Sequence, residues 1–223
     1  MGRLEDSRRI PSWAGPTVTA LNLDEHVHEL CRDAQFDRAT TLVLQQLGPA
    51  VFRYVAARAR DEDMAAEGFA RFAEDLWRGM QGFSGRSSVR VWAFVIARNA
   101  VGQVMRTRKR ERKRTRGWSS TLANRVAEQV RTKTQEFLRT ETKERFAELR
   151  SRLSPEEQAL LVLRINERLS WEEIARIHAD AQSEAQAKRE AARLRKRFQL
   201  VRDKLRKMAR AEGLLTDDAD RER

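Results

Sequence analysis

The chain has 223 residues and carries 45 Lys and Arg against 33 Asp and Glu, a formal net charge of +12 at pH 7. Such a positive balance attracts nucleic acid or anionic lipid before any specific contact forms. No apolar run approaches the roughly 20 residues that a spanning helix needs, and the charged start from Met1 to Arg9 lacks the apolar block of a signal peptide. We therefore expect no membrane partner and a cytoplasmic protein.

The composition predicts an all-α fold. The chain has only four Pro and ten Gly, and no segment alternates polar and apolar residues as a strand would. Cys31 is the single cysteine, which excludes an intrachain disulfide. His26 and His28 lie near it, but three mixed ligands without a fourth match no zinc spacing. We interpret this group as a solvated helix turn and expect neither metal nor cofactor.

The amino-terminal elements begin with an arm, residues 1–23, that has little periodicity. We predict a first helix with Asp24 as its N-cap and Val27, Leu30 and Cys31 on one face. The apolar pattern from Phe36 to Val55 predicts an amphipathic helix pair with a break near Gly48-Pro49.

The next two helices carry the most informative residues. Asp61 or Asp63 is the expected N-cap of a helix that ends at Gly82-Phe83-Ser84-Gly85. Its core face is predicted from residues that recur every three or four positions, namely Phe69, Phe72, Ala73, Leu76, Trp77 and Met80. A further helix starts near Ser87 or Ser88 and reaches about Arg106. This helix places Val89, Trp92, Ile96 and Ala100 on one face, whereas Arg90, Arg98 and Asn99 project from other faces.

A basic block follows between residues 106 and 116, where eight Lys and Arg are interrupted by Glu111 alone among the acids. Such a block does not fit inside a core, so it marks a domain boundary. Two interpretations stay open, a solvated linker and a contact with DNA phosphates. The polar segment from Thr121 to Arg152 is predicted to be a helical linker.

The carboxy-terminal part contains two capping boxes, Ser154-Pro155-Glu156-Glu157 and Ser170-Trp171-Glu172-Glu173. They predict two short helices ahead of a long basic helix after Gln182. This is a helix-turn-helix pattern in which the last helix would enter the major groove. The same helix carries an apolar repeat, which we interpret as packing within its own domain, with a dimer seam as the alternative. Its members are Ala187, Ala191, Leu194, Phe198, Val201, Leu205 and Met208.

Two segments together resemble the extracytoplasmic-function sigma factors of bacterial RNA polymerase. The first segment resembles the promoter-melting segment of that family through the residues Trp77, Phe83-Ser84-Gly85-Arg86-Ser87-Ser88, Arg90, Trp92 and Ile96-Ala97-Arg98-Asn99. The second segment resembles the carboxy-terminal domain of that family through the residues Leu153 to Gln158, Leu163-Arg164, Leu169 to Ala175 and Ala187 to Phe198. The resemblance covers roughly residues 36 to 210, in the family's order.

The resemblance implies two small helical domains joined by a basic, partly helical linker. The region 2-like domain, which binds polymerase and melts the promoter, would span residues 24–106, and the linker 107–150. The region 4-like helix-turn-helix domain would span residues 151–213, between the linker and a tail of residues 214–223, with residues 1–23 as a flexible arm.

Three sets of site residues follow from the resemblance. The strand-opening set, which would capture a base flipped from the downstream promoter element, is Phe83, Ser84, Arg86, Ser87, Ser88, Arg90, Trp92, Arg98 and Asn99. The upstream set is Lys188 and Arg189, expected at base edges, with Arg193, Arg195, Lys196 and Arg197, expected at phosphates. The polymerase set is Glu67, Arg71, Glu74, Asp75 and Arg78. In that helix the family usually has a glutamine-acid pair where this chain has Ala70 and Arg71.

The partners implied are core RNA polymerase and promoter DNA, and the family is often controlled by an anti-sigma factor. The chain shows no set of catalytic residues, so we expect no enzyme. The alternative function is a helix-turn-helix repressor or activator with an amino-terminal dimerisation or sensing module, which needs only the last helices. A nuclease is disfavoured because it needs carboxylates or histidines grouped near the basic surface, whereas the three histidines look scattered and the acids lie mostly on solvated helix faces.

Overall fold

The computed structural model describes residues 20–111, 148–179 and 183–214, and within these ranges it is all-helical, as predicted. The elements in chain order are α1 Ala20–Arg32, α2 Phe36–Arg58, α3 Glu62–Gly79, a 3₁₀ turn Met80–Gly82, α4 Val89–Glu111, α5 Pro155–Leu161, a π-helical segment Val162–Asn166 that continues α5, α6 Trp171–Ala179 and α7 Glu184–Ala211. None of these helices combines the length and the hydropathy required to cross a lipid bilayer.

The start of α1 differs from the prediction. Asp24 was expected as its N-cap, but α1 begins at Ala20 and Asp24 lies inside it. The Asp24 carboxylate instead accepts a hydrogen bond from the backbone N–H of Val89 at 2.7 Å, at the start of α4. Asp24 is therefore a capping residue for a different helix, and that contact depends on the tertiary packing of α1 against α4.

Helix α2 runs unbroken from Phe36 to Arg58, so the predicted break at Gly48-Pro49 is wrong. Pro49 removes one N–H from the helix ladder, and the carbonyl that loses this partner belongs to Gln45, an exposed residue. The residues after the proline, including Val51 and Phe52, are buried. The packing of α2 against α1, α3 and α4 compensates for the missing bond.

Helix α3 begins as predicted, because the Asp61 carboxylate accepts from the N–H of Met64 at 2.7 Å. Phe69, Phe72 and Leu76 are buried, but Trp77 is 51% exposed, which contradicts its assignment to the core face. Trp77 follows Leu76 by one residue and is turned about 100° around the helix. Its indole N–H donates to the Asp37 carboxylate at 2.8 Å.

The carboxy-terminal half confirms both capping boxes. Ser154 and Glu157 exchange their side-chain bonds with each other's backbone N–H, and Ser170 and Glu173 do the same. The apolar repeat of α7 faces inward from Ala187 to Val201, with Leu205 and Met208 partly buried against the same core. That burial favours packing within the chain over a dimer seam.

The two halves pack against each other through two pairs of helices, α2 with α5 and α4 with α6. Their buried apolar residues form one continuous cluster. The division into a region 2-like and a region 4-like domain stays a prediction. Predictions for the arm up to residue 19, the basic block after residue 111, the linker up to residue 147, the turn at 180–182 and the tail from 215 lie outside the described residues.

Candidate nucleic-acid interface

The loop before α4 is fixed by a close approach of Gly85 to His28. Gly85 has φ +67°, a left-handed conformation that L side chains avoid. A Cβ at this position would lie 2.1 Å from Nε2 of His28. The His28 ring is held from its other side, because Nδ1 lies 2.7 Å from the carbonyl oxygen of Asp24. Only glycine fits here without displacing the ring.

Phe83 and Trp92 of the strand-opening set form one aromatic cluster with His28. The Phe83 ring centroid lies 4.8 Å from that of Trp92 and 5.2 Å from that of His28. Trp92 also covers Gly79, where a Cβ would be only 3.3 Å from its ring. Phe83 and Trp92 are both half-buried, so the cluster joins the loop to α3 and α4 while part of each ring reaches the surface.

The serine and arginine residues of the same loop divide into two groups. The Ser88 hydroxyl accepts from the backbone N–H of Val91 at 3.3 Å, which makes it a capping group for α4. Ser87 is half-buried, whereas Ser84 and Arg86 are exposed. Ser84 and Arg86 are therefore the two of these residues that are most accessible from solvent.

Arg90 does not face solvent freely but contacts the carboxy-terminal half. Its Nη2 donates to the backbone oxygen of Glu167 at 2.5 Å and to Oε2 of the same residue at 3.2 Å. Nη2 of Arg53, on α2, donates to the other carboxylate oxygen at 2.7 Å. Glu167 is only 6% exposed. Its charge is therefore compensated by two guanidinium groups from the amino-terminal half.

Arg98 makes a second contact of this kind. Its Nη1 donates to the carbonyl oxygens of Ile177 at 2.7 Å and of His178 at 3.0 Å, in the last turn of α6. A cation at this position satisfies carbonyls that have no partner within the helix. Asn99 is exposed and accepts from Nε and Nη2 of Arg98 through its side-chain oxygen. Arg98 thus links Asn99 to the end of α6.

His178 lies within this positive environment. Burial lowers its pKa from 6.5 to about 4, and the nearby charges of Arg58, Arg197 and Arg98 act in the same direction. Glu156 opposes the shift. The imidazole is therefore neutral at pH 7, so it adds no further positive charge to this contact.

The upstream set lies on one long exposed surface of α7, and all six of its residues are exposed. Lys188 pairs with Glu184 at 2.7 Å, and this partner raises the pKa of its ammonium group. Arg195 lies 5.9 Å from the centre of the Trp171 ring and 3.8 Å from Glu172, so it also contacts α6. Arg193 pairs with Glu190 at 3.4 Å.

Arg189 and Lys196 form no ion pair with any described residue. Ser183 is the N-cap of α7, and its hydroxyl accepts from the N–H of Gln186 at 3.3 Å. The first turns of α7 are therefore well formed and open to solvent, where a helix-turn-helix presents its reading residues.

The polymerase set lies on α3 and is engaged in ion pairs. Arg71 pairs with Asp75 at 3.0 Å and Arg78 with Glu74 at 2.5 Å, one helical turn apart in each case. Glu67 pairs instead with Arg108 of α4 at 2.8 Å. Arg78 also borders a groove of about 470 Å³, which is lined by Ala34, Phe36, Asp37, Trp77, Arg78 and Gln81.

Sequence reasoning missed two residues that the tertiary structure makes prominent, Arg53 and its partner Glu167, and it placed Trp77 in the core although that side chain is exposed. Arg53 could have been noticed, although weakly, as the single basic residue inside the apolar run from Ala50 to Val55. Glu167 gave no signal, because its partner is 114 residues away in the chain.

Within the described ranges, no group of three or more His, Cys, Asp and Glu side chains could hold a metal ion. His28 is half-buried against Gly85 and Phe83, so the expectation of a fully solvated turn is wrong for that residue. Comparison of the chain with protein-family models, with curated proteins and with solved structures finds no match.

Proposed function

We propose that this chain is a sigma factor of the extracytoplasmic-function type, which binds core RNA polymerase, directs it to promoters and helps to open them. The single observation that carries the proposal is the pairing of α6 with a 28-residue basic helix, α7, whose first turns are exposed. This arrangement suits reading of the major groove. The net charge of +12 adds general attraction to DNA.

In this proposal Arg189 and Lys188 contact base edges, and the basic residues further along α7 contact phosphates. An arginine that binds a guanine through two hydrogen bonds contributes about 1–3 kcal/mol of discrimination, whereas a phosphate contact strengthens binding to all sequences alike. The absence of an acidic partner for Arg189 among the described residues supports its role as a reader, since its donors are available.

The strand-opening set would act at the downstream element. A base that has left the duplex offers its hydrogen-bonding edge and a stacking face, so its capture can drive opening without nucleotide hydrolysis. Ser84 and Arg86 are exposed beside the partly accessible rings of Phe83 and Trp92, which is the combination of donors and aromatic surface that such a base requires. The α3 surface with Trp77 and Arg78 is the proposed contact with polymerase.

A second candidate function is a helix-turn-helix repressor or activator. One observation favours it, because Arg90 and Arg98 are occupied by Glu167 and the end of α6 in this arrangement, while α7 stays open. A regulator of this kind would bind duplex DNA by itself and would need no polymerase.

The deciding experiment combines the purified chain with bacterial core polymerase on a pool of promoter-bearing templates. A sigma factor yields transcripts with defined start sites and co-elutes with the core enzyme. The control is Gln45→Ala, which removes an exposed amide on α2 that belongs to none of the three sets of site residues. If the chain neither binds core polymerase nor starts transcripts, while it still shifts duplex DNA, the repressor or activator replaces our proposal.

A narrower test addresses Asn99. Asn99→Ala should reduce strand opening, measured by permanganate reactivity of unpaired thymines, more than it reduces binding to the duplex. Its side chain is exposed and accepts from the neighbouring Arg98, so the fold should tolerate the change. Equal loss of opening and of duplex binding would contradict the role of Asn99 in base capture.

A further inference from the structure

Glu167 is a buried acid bound by two helices of the opposite half of the chain. Its carboxylate oxygens lie 2.7 Å from Nη2 of Arg53 and 3.2 Å from Nη2 of Arg90. Its backbone oxygen accepts from Arg90 as well. Glu167 directly follows the π-helical segment, and its own N–H donates to the oxygen of Val162 at 2.9 Å, which fixes it at the end of that element.

A second contact lies two turns further along α4, where Arg98 donates to the carbonyls that end α6. Arg90 and Arg98 are separated by eight residues, or about 12 Å of helix. The carboxy-terminal half thus supplies an acceptor to each of the two α4 arginines that belong to the strand-opening set.

The acceptors that these arginines find are chemically similar to those of a nucleic acid. Guanidinium groups bind carboxylate and phosphate oxygens through the same planar arrangement of donors. The buried Nε–H groups of Arg53 and Arg90 find no acceptor among the described residues. Glu167 therefore leaves part of the donor capacity unused, and a phosphate that approached both arginines could satisfy more of it.

We propose that Glu167 and the carbonyl end of α6 form an autoinhibitory latch, which occupies Arg53, Arg90 and Arg98 in place of the phosphates of single-stranded DNA. In the latched chain α7 stays available for duplex DNA, while the two α4 arginines of the strand-opening set are occupied. Opening of the latch exchanges one carboxylate and three carbonyls, those of Glu167, Ile177 and His178, for phosphate oxygens. The identification of the ligand as an opened promoter strand rests on the proposed function, whereas the latch itself is a property of the isolated chain.

The main test compares Glu167→Gln with Asp203→Asn. The first keeps the shape of the side chain and removes the charge that pairs with Arg53 and Arg90. The second removes an equal charge from an exposed carboxylate on α7 that forms no ion pair with a described residue. The probe is a fluorescent single-stranded DNA oligonucleotide, with binding followed by anisotropy at fixed salt.

We expect Glu167→Gln to tighten binding to single-stranded DNA by about tenfold, because a ligand binds more tightly in proportion to the population of its competent state. Asp203→Asn should change it by less than about twofold, as an exposed charge does. X-ray scattering should show a larger radius of gyration for Glu167→Gln than for the unmodified chain. Equal affinities and equal radii for the two variants would overturn the latch.

Hydrogen exchange on the unmodified chain supplies a test that does not depend on how well the variant folds. Addition of single-stranded DNA should speed exchange at the amides of Glu167 and Leu169, which close the end of the π-helical segment. Unchanged or slower exchange there would also reject the proposal. None of these measurements contains polymerase, so a failed transcription assay leaves the latch standing, and a failed latch leaves the transcription assay to decide the function.

Discussion

Replacement of Gly85 by alanine should destabilise the protein through two separate effects. The left-handed backbone at φ +67° costs an L residue about 1–2 kcal/mol. In addition, the new Cβ would lie 2.1 Å from Nε2 of His28, so the ring must move. That movement weakens the contact of Nδ1 with the Asp24 carbonyl, worth about 1 kcal/mol, and the aromatic contact with Phe83. The total is about 2–4 kcal/mol.

Three glycines of this chain separate the two effects. A Cβ at Gly82 would meet open space, and the backbone there has no positive φ, so Gly82→Ala should be close to neutral. Gly213 has φ +68° but equally open surroundings, so Gly213→Ala should show the backbone cost alone. Thermal unfolding measures all three, at about 2–4 °C per kcal/mol for a chain of this size. Gly85→Ala should show the largest fall in Tm.

A double-mutant cycle with His28→Ala isolates the contact. In that background the ring is absent, and Gly85→Ala should cost only its backbone part, about 1–2 kcal/mol. An unchanged cost of Gly85→Ala when His28 is removed would refute the reasoning, because it would show that the ring does not limit the space at residue 85. A measured coupling energy between Gly85→Ala and His28→Ala would instead support the loop position described above, in which Phe83 packs beside His28.

Three further predictions concern single residues. Arg168 has φ +53°, so Arg168→Gly should raise stability by about 1 kcal/mol in chemical denaturation. The pKa of His178 is lowered from 6.5 to about 4, so the unfolded chain binds more protons between these values, and stability should fall as the pH drops through that window. For this group, the free energy of unfolding should fall by about 2 kcal/mol from pH 7 to pH 5. His178→Gln should remove that part of the dependence of stability on pH. An unchanged pH dependence in the variant would contradict the buried neutral imidazole. Arg189→Ala should alter the preference at one upstream base pair in a binding selection. Lys196→Ala should instead weaken binding to all DNA sequences alike and reduce the salt dependence of the binding constant by about one unit of slope. A uniform loss of affinity for Arg189→Ala would reassign that residue to a phosphate contact.

The caps and the periodic core positions were predictable because they depend on neighbours within one helical turn. Asp61, Ser154 and Ser170 each form the predicted capping bond. The burial of Leu194 and Phe198 on α7 follows the apolar repeat in the same way. A capping bond needs only a side chain three residues from the N–H that it accepts, so sequence spacing alone indicates it.

The errors of prediction arise where packing outweighs local preference. A proline usually marks the end of a helix, but Pro49 lies within α2 because the buried residues after it, such as Phe52, pack against other helices. The position of Trp77 at the edge of the α3 core face depends on which neighbours cover that edge. Asp37 of α2 offers a hydrogen-bond partner at the surface, and the indole stays exposed.

Residue spacing was enough to predict helices throughout the described ranges and three N-caps. It also predicted a basic helix whose apolar repeat faces inward while its Lys and Arg face outward. Each of these features depends on neighbours along one helix. The folded arrangement was needed to show that Asp24 caps α4, that Gly85 lies against His28, and that Glu167 accepts from Arg53 and Arg90. Those contacts join residues up to 114 positions apart, and no local pattern records which distant side chain will meet a buried charge.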